Sequence, residues 1–348
     1  MINKYWSICF FFMIVGLNKG FSQNFSVEFA NKISPQSLKK HLEIIASDSM
    51  KGRETGTEGQ VMASKYIANH FSKIGLQAVV KTDSGMSYFQ PFDLVKINGG
   101  LRMAVYYGED KSKVKLSSTN VLGYLEGTDN KDEVLVITAH YDHIGIKDGI
   151  INNGADDDGS GTVAVLEIAN AFAEASKEGF RPKRSILFMT VSGEEKGLLG
   201  SEYYSTKPVF PLQKTVCNLN IDMVGRHDEV NKNKHYVYII GSDKLSSELH
   251  AINDSAAFKF TPLNLDYSYN VANEPNRFYY RSDHYNFAKN GIPIIFYFDG
   301  MHPDYHQPTD DVERIDFQLL SERAKLVFYT AWEVANRPNR IIVDSNKP

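Results

Sequence analysis

Residues 134–143 read VLVITAHYDH, an apolar run that leads into two histidines and an aspartate. Its length and its β-branched side chains predict a strand that is buried on both faces. Four further runs of this kind follow along the chain: SILFMTV (185–191), CNLNIDM (217–223), YVYII and IPIIFYF (292–298). Helical patterns lie between them at 162–175 and 283–290, and a long one extends from Leu319 to Asn336. This order predicts an α/β fold with a mixed, mostly parallel central sheet and helices on both faces.

Another helix is predicted over Glu58–Ile74, before this series of strands. Thr57 and Gln60 have the spacing of a capping box at its start, and Gly75 follows its end. The residues between Gly75 and His140 have the pattern of further strands of the same body. No inserted domain is therefore predicted there.

Composition limits the classes of partner. The chain has 348 residues, and its 42% hydrophobic and 23% charged side chains are ordinary for a globular protein. Its formal net charge of -4 gives no reason to expect nucleic acid or an anionic membrane as a partner. We expect one domain over residues 24–340 and a C-terminal tail over 341–348, in a monomer or weak oligomer.

The N-terminal sequence MINKYWSICFFFMIVGLNKGFSQ resembles an export signal. Lys4 supplies the positive charge, and the apolar run from Trp6 to Leu17 is too short for a membrane span. A signal peptide over residues 1–23 is predicted, with a retained membrane anchor as the alternative. The protein would then be periplasmic or secreted. Because Cys9 lies in this signal, Cys217 would be the single cysteine of the mature chain and no intramolecular disulfide is expected.

Acidic and imidazole side chains follow most of the predicted strands. In open α/β sheets, ligands bind beyond the carboxyl ends of the strands. The residues there are His140, Asp142 and His143 after the first run, Glu194 and Glu195 after the second, Asp222 after the third, and His302, Asp304, Tyr305 and His306 after the last. This mixed set of nitrogen and oxygen ligands suits zinc or a similar divalent ion.

The stretch NNGADDDGSG (152–161) places three aspartates in a row. Two dications about 3.5–4 Å apart need a bridging carboxylate and make a cluster of acids favourable. A solvated turn is one alternative interpretation. The other is a calcium loop, whose pattern is nearly filled by Asp156, Asp158, Ser160, Gly161 and Glu167. The sequence before Asp156 has no helical pattern, which disfavours the calcium loop.

Taken together, these motifs resemble peptidase family M28, the co-catalytic zinc aminopeptidases. HYDH, GADDDGSG, SGEEKG, IDM and DYHQPTDD occur in the order of that family, and GRETGTEG and SDHYNFAKNGIPIIF are similar to its segments. The resemblance extends over roughly residues 45–315. It implies a zinc-peptidase-like α/β/α sandwich that hydrolyses the N-terminal peptide bond of peptides with a free N-terminus.

The resemblance also implies roles for matching residues. Two Zn²⁺ per chain are expected, although other divalent ions could bind the same ligands. One ion would be held by His140, Asp156 and Asp222, and the other by Asp156, Glu195 and His306, so that Asp156 bridges. Glu194 would be the general base, Asp142 would orient His140, and Tyr305 would polarise the scissile carbonyl. A cis peptide bond is expected between Asp156 and Asp157.

Other functions remain as alternatives. A glutaminyl-peptide cyclotransferase has the same fold and typically holds one zinc, but the intact DDDG and GEE segments favour the peptidase. A dipeptidase or a carboxypeptidase-like member would hydrolyse a different amide bond. A non-catalytic binding protein would be expected to lack a ligand or the base, and this sequence lacks neither.

Overall fold

The computed structural model describes residues 25–107 and 114–345. The expected signal peptide at 1–23 and the last three residues of the expected tail lie outside these ranges. Within the described ranges, no helix is long and apolar enough to cross a membrane.

The strands of the described chain carry the labels β1 to β13 in chain order. They are β1 (Val80–Thr82), β2 (Gly85–Ser87), β3 (Phe89–Ile97), β4 (Gly100–Met103), β5 (Val114–Leu125), β6 (Asn130–His140), β7 (Ile146–Lys147), β8 (Ile150–Ile151), β9 (Arg184–Val191), β10 (Thr215–Ile221), β11 (Tyr236–Ile240), β12 (Asn264–Asp266) and β13 (Ile294–Phe298). All five strands predicted from the apolar runs are present, as β6, β9, β10, β11 and β13.

The main helices carry the labels α1 to α7, also in chain order. They are α1 (Pro35–Ile45), α2 (Glu58–Ile74), α3 (Gly161–Lys177), α4 (Leu199–Thr206), α5 (Ser247–Phe260), α6 (His284–Ala288) and α7 (Phe317–Asn336). The prediction of α2 is confirmed at both ends. It stops at Gly75, whose φ of 92° is left-handed and closes the helix at little steric cost.

Nine strands form one sheet in the order β12-β11-β13-β10-β6-β9-β5-β3-β4. The four central strands, β13, β10, β6 and β9, run parallel to one another. Antiparallel pairs flank this centre, because β11 pairs with β13 and β5 with β9 in that sense. The mixed sheet is confirmed, and its parallel part is confined mainly to the centre.

The region between Gly75 and His140 belongs to the main sheet. β3 pairs with β5 and β4 pairs with β3, both antiparallel, at one margin of the nine-stranded sheet. Strands β3, β4 and β5 of this region are therefore part of the main sheet.

Helices cover both faces of the central strands. Leu135 and Ile137 of β6 pack in one core with α1, α2, α3 and α7. Val134 and Val136 point to the opposite face and pack in a second core with side chains of α4 and α6. Successive strand side chains point to opposite faces, so coverage of both faces explains the continuous apolar run. Each fully buried side chain of this size contributes about 1.5–3 kcal/mol.

Candidate functional site

The predicted cluster of polar side chains lies at one edge of the sheet. β6 ends at His140, β9 is followed by Glu194 and Glu195, and β10 is followed by Asp222. Because these strands are parallel, their carboxyl ends meet at the same edge. The loop from β8 to α3 brings the three aspartates to this edge as well.

One group of candidate ligands surrounds the His140 imidazole. Its Nε2 lies 3.2 Å from Asp157 Oδ1 and 3.6 Å from Asp222 Oδ1. All three side chains are buried. The hydroxyl of Ser282 donates to the other oxygen of Asp222 at 2.6 Å, which leaves Oδ1 for the group.

A second group uses the other oxygen of Asp157. His306 Nε2 lies 3.0 Å from Asp157 Oδ2 and 3.2 Å from Glu195 Oε2. His143 Nδ1 lies 3.0 Å from the remaining oxygen of Glu195. The carboxylate of Asp157 is therefore shared, with one oxygen in each group.

The donor atoms fit divalent cations. Atoms about 2 Å from a zinc ion at tetrahedral angles are about 3.3 Å apart, which is close to the separations in both groups. Among the described residues, Asp157 Oδ2 and Glu195 Oε1 are buried without a hydrogen-bond partner, although imidazole nitrogens lie 3.0 Å away. Buried polar atoms are normally paired. These nitrogen and oxygen atoms are close together but not aligned for a hydrogen bond. Two ligands of one metal ion would have the same arrangement.

The electrostatics of the site depend on its burial. Burial by itself would raise the pKa of Asp157, but the nearby imidazoles of His140 and His306 hold that pKa well below its usual range. Burial also raises the pKa of Glu194 well above its usual range, and the neighbouring carboxylates of Glu195 and Asp222 raise it further. The two acids thus have opposite protonation preferences within one site.

The shared carboxylate corrects the sequence-based assignment by one residue. Asp156, expected to bridge, points away from both groups: its Oδ1 accepts the Gly225 amide at 2.7 Å and its Oδ2 lies 3.1 Å from His302 Nε2. The cis peptide bond also lies one position later, between Asp157 and Asp158. Identical neighbouring residues give no sequence signal that separates them.

Asp158 is occupied by main-chain donors. One oxygen accepts the His140 amide at 3.1 Å, and the other accepts the amides of Gly161 and Met223 at 2.9 and 3.0 Å. It therefore joins the end of β6, the start of α3 and the residue after Asp222. Its carboxylate has a structural position that the sequence did not suggest.

Asp142 lies next to His140 but orients it differently from the prediction. His140 Nδ1 lies 3.0 Å from the main-chain oxygen of Asp142, whereas the nearest carboxylate oxygen is 3.8 Å away. The carboxylate instead accepts the Thr55 hydroxyl at 2.7 Å and the Glu194 amide at 3.3 Å. Asp142 therefore connects the end of β6, where His140 lies, to the turn after β9 that carries Glu194.

Glu194 and Tyr305 border the two groups. Glu194 Oε2 is 4.0 Å from His140 Nε2, and its side chain is 14% exposed, so it can meet a molecule entering the site. The Tyr305 ring stacks on His306 with centroids 3.9 Å apart. Burial and the nearby carboxylates of Asp157 and Glu195 raise the pKa of the Tyr305 hydroxyl, which therefore stays protonated.

Sequence reasoning missed several supporting residues. Asp310 accepts the amides of Asp156 and Asp157, each at 3.1 Å, and so holds the loop that carries the shared carboxylate. His143 faces Glu195 but had no assigned role. Asp310 lies in the motif DYHQPTDD and His143 in the motif HYDH. The spacing within each motif gave no reason to prefer these residues over their neighbours.

The calcium-loop alternative requires Glu167 and Asp158 to converge on one ion. Glu167 instead lies in α3, where its Oε1 is 3.0 Å from His41 Nε2. The Asp158 oxygens are already occupied by amides. The two carboxylates serve separate contacts, so the geometry does not support a calcium loop.

Replacing Glu167 with glutamine is therefore expected to leave metal content and catalytic rate within about twofold of the unmodified protein. Glutamine keeps the volume of the side chain and can still accept a hydrogen bond from His41. Elemental analysis and a hydrolysis assay on the same preparation check this. A drop in bound metal would restore the calcium loop as an interpretation.

The region that carries this site matches a known protein family. The model of Peptidase family M28 matches residues 120–331, which is more than half of the chain. The chain belongs to peptidase family M28.

Curated relatives and solved structures resemble the chain at low identity. A probable leucine aminopeptidase of Arthroderma otae is 30% identical over 234 residues, covering 65% of this chain and 60% of the relative. The zinc aminopeptidase BSAP of Bacillus subtilis has a similar structure, with a TM-score of 0.64, 18% identity and coverage of 90% of this chain and 99% of that one. A Bacteroides thetaiotaomicron glutaminyl cyclase bound to N-acetylhistamine is also similar, with a TM-score of 0.62, 18% identity and coverage of 86% and 98%. The chain spans about three fifths of the length of the curated leucine aminopeptidases that it matches.

Proposed function

We propose that this protein is an exported aminopeptidase that uses two divalent cations, with zinc as the expected metal. The observation that carries this proposal is the Asp157 carboxylate, whose two oxygens face two separate ligand groups. A carboxylate in that position suits a bridge between two ions. The family membership and the zinc aminopeptidases among structures of the same fold support the proposal.

Six ligand positions would hold the ions. His140, Asp157 and Asp222 would form the first set, and Asp157, Glu195 and His306 would form the second. Zinc bound there would lower the pKa of water towards neutrality and polarise a peptide carbonyl. His143, 3.0 Å from Glu195, would fix the direction of that carboxylate rather than ligate an ion.

Glu194 would transfer the proton. Its carboxylate makes no hydrogen bond within the described chain and borders the first group, 4.0 Å from His140 Nε2. A base placed there can accept a proton from the attacking water and return it to the leaving amine. Burial and neighbouring acids raise its pKa, and a raised pKa makes a carboxylate a better proton acceptor.

The orientation of His140 would depend on Asp142. The Asp142 carbonyl oxygen is 3.0 Å from Nδ1, so the proton of the imidazole would lie on Nδ1 and Nε2 would face the cation. Tyr305, which borders the second group, would polarise the carbonyl of a substrate by donating a hydrogen bond from its hydroxyl to the carbonyl oxygen.

The substrates would be peptides with a free N-terminus. The probable leucine aminopeptidases among the relatives support this class. The cyclotransferase predicted as the alternative also occurs on this fold, because a glutaminyl cyclase is among the similar structures. The second ligand group favours the peptidase, because the cyclase is expected to hold one zinc.

A substrate panel with parallel metal analysis tests the proposal. The purified protein is expected to contain two zinc ions per chain and to hydrolyse aminoacyl-anilides with a free amine, but not their N-acetylated forms. Hydrolysis of only the acetylated substrates would contradict an aminopeptidase. One zinc per chain together with cyclisation of N-terminal glutamine would indicate the cyclase instead.

Export is the remaining part of the proposal. The apolar run from Trp6 to Leu17, which follows the positive charge of Lys4, supports it. N-terminal sequencing of the protein recovered outside the cytoplasm tests this point. A chain that still begins at Met1 in the cytoplasmic fraction would contradict it.

A further inference from the structure

Residues 53–55, with the sequence Arg-Glu-Thr, lie beside the candidate metal site although they are remote from it in sequence. They precede the region 120–331 that matches the family model, and nothing in the proposed reaction uses them. All three side chains contact loops that carry residues of the site. We call these three residues the strap.

Arg53 holds two of the loops that carry candidate ligands. It is fully buried, and its Nε donates to the carbonyl oxygen of Tyr141 at 2.8 Å, between His140 and Asp142. Its two terminal nitrogens donate to the carbonyl oxygens of Asn153 and Gly154, at 2.6 and 2.9 Å. One planar guanidinium therefore fixes the loop after β6 against the loop that leads to Asp157.

No carboxylate lies within salt-bridge distance of the Arg53 guanidinium in the described chain, which is unusual for a buried cation. Burial lowers the pKa of Arg53 to about 10, and the carboxylates of Asp310, Asp142 and Asp157 oppose that shift from a distance. At neutral pH the residue is charged. The positive charge of Arg53 is therefore balanced by the surrounding carboxylates of the site and not by a direct salt bridge.

Thr55 contacts the loop after β6 at a second point, Asp142. Its hydroxyl donates to Asp142 Oδ2 at 2.7 Å, and both side chains are buried. The other oxygen of Asp142 accepts the Glu194 amide at 3.3 Å, and its carbonyl oxygen is 3.0 Å from His140 Nδ1. One hydroxyl thus fixes an aspartate that touches both a candidate ligand and the candidate base.

Glu54 reaches the turn after β9. Its Oε1 pairs with Lys196 Nζ at 2.7 Å, and Lys196 directly follows Glu195. The pair is partly exposed, so it adds little to folding stability. The pair connects the strap to the turn after β9, which carries Glu194 and Glu195.

We propose that the strap is a positioning element of the metal site, which sets the directions of His140, Asp157 and the Glu194–Glu195 turn. Each strap residue holds a loop that carries candidate metal ligands or the candidate base, and none of the three contacts the substrate. The inference rests on the proposed function, because it assumes that these loops carry metal ligands. Asp222 is outside its reach, since Ser282 and not the strap contacts that carboxylate.

Thr55→Val tests the strap, because valine keeps the shape of threonine and removes its hydroxyl. Affinity for Zn²⁺ alone is measured by calorimetry on metal-free protein, and kcat and KM by anilide hydrolysis. Loss of a contact that orients a ligand is expected to weaken Zn²⁺ binding or lower kcat by about 10–100-fold. KM is expected to stay within about twofold, because the hydroxyl contacts Asp142 and not the substrate.

Two matched variants separate positioning from general stability. Thr55→Ser restores the hydroxyl and is expected to recover wild-type values. Thr215→Val makes the same substitution at the start of β10, where the buried hydroxyl has no partner in the described chain, and should change neither quantity. Wild-type Zn²⁺ affinity and kcat in Thr55→Val, or a serine variant as impaired as the valine variant, would overturn the proposal. The Zn²⁺ affinities of the variants test the proposal even if the protein hydrolyses no peptide.

Discussion

Replacing Glu194 with glutamine is expected to leave two zinc ions bound while kcat falls by about 10²–10⁴-fold. Glutamine fills the same space but cannot accept a proton. Glu194 belongs to neither candidate ligand group, so the metal content should not change. KM is expected to change little, because the substituted carboxylate would act on the attacking water and the leaving amine. Single-turnover hydrolysis and elemental analysis measure the two effects on one preparation.

Two other glutamates, one adjacent and one on the following helix, provide the controls for this variant. Glu195→Gln is expected to lose metal as well as activity, because its carboxylate faces His306 at 3.2 Å. Glu202→Gln, a partly exposed position on α4, is expected to lose neither. A Glu194→Gln protein that turns over at the wild-type rate would remove Glu194 from the mechanism. A protein that loses its zinc would assign Glu194 as a ligand.

Asp157→Asn and Asp156→Asn are expected to differ sharply although the residues are adjacent and identical. In Asp157→Asn, one shared oxygen becomes an amide nitrogen that cannot coordinate a cation, and the bridging charge is lost. At least one zinc ion per chain should be lost, and hydrolysis should fall below one thousandth of the wild-type rate, a cost of about 4 kcal/mol. Zinc content after dialysis and initial rates provide the measurement.

Asp156→Asn should keep both ions. Its side-chain oxygen can still accept the Gly225 amide, and its new amide group can donate to His302. Affinity for zinc should fall by no more than about 10–100-fold, as is usual for residues that only support a ligand. The reverse order, with greater zinc loss in Asp156→Asn, would return the bridging role to Asp156.

The elements of the fold were predictable where local pattern and burial agree. The run VLVITA became the central strand β6 because both its faces are covered by helices. The capping box predicted for α2 was wrong. Thr57 donates its hydroxyl to the carbonyl oxygen of Glu54, and Gln60 donates to the Tyr141 hydroxyl instead of the helix start. Thr57 thus binds a local main-chain acceptor, whereas Gln60 binds a tertiary partner that a local motif cannot anticipate.

The sequence by itself determined which strands end at the site and which residue types they deliver there, because the position and length of each strand along the chain follow from the apolar pattern. It could not determine which of three consecutive aspartates faces the two candidate ligand groups. The amide of Gly225 binds Asp156 and that of Met223 binds Asp158, which leaves Asp157 to face the two ligand groups. These donors come from the end of β10, more than 60 residues away in sequence. Only the tertiary structure brings them to the loop, and their demand for acceptors decides the direction of each carboxylate.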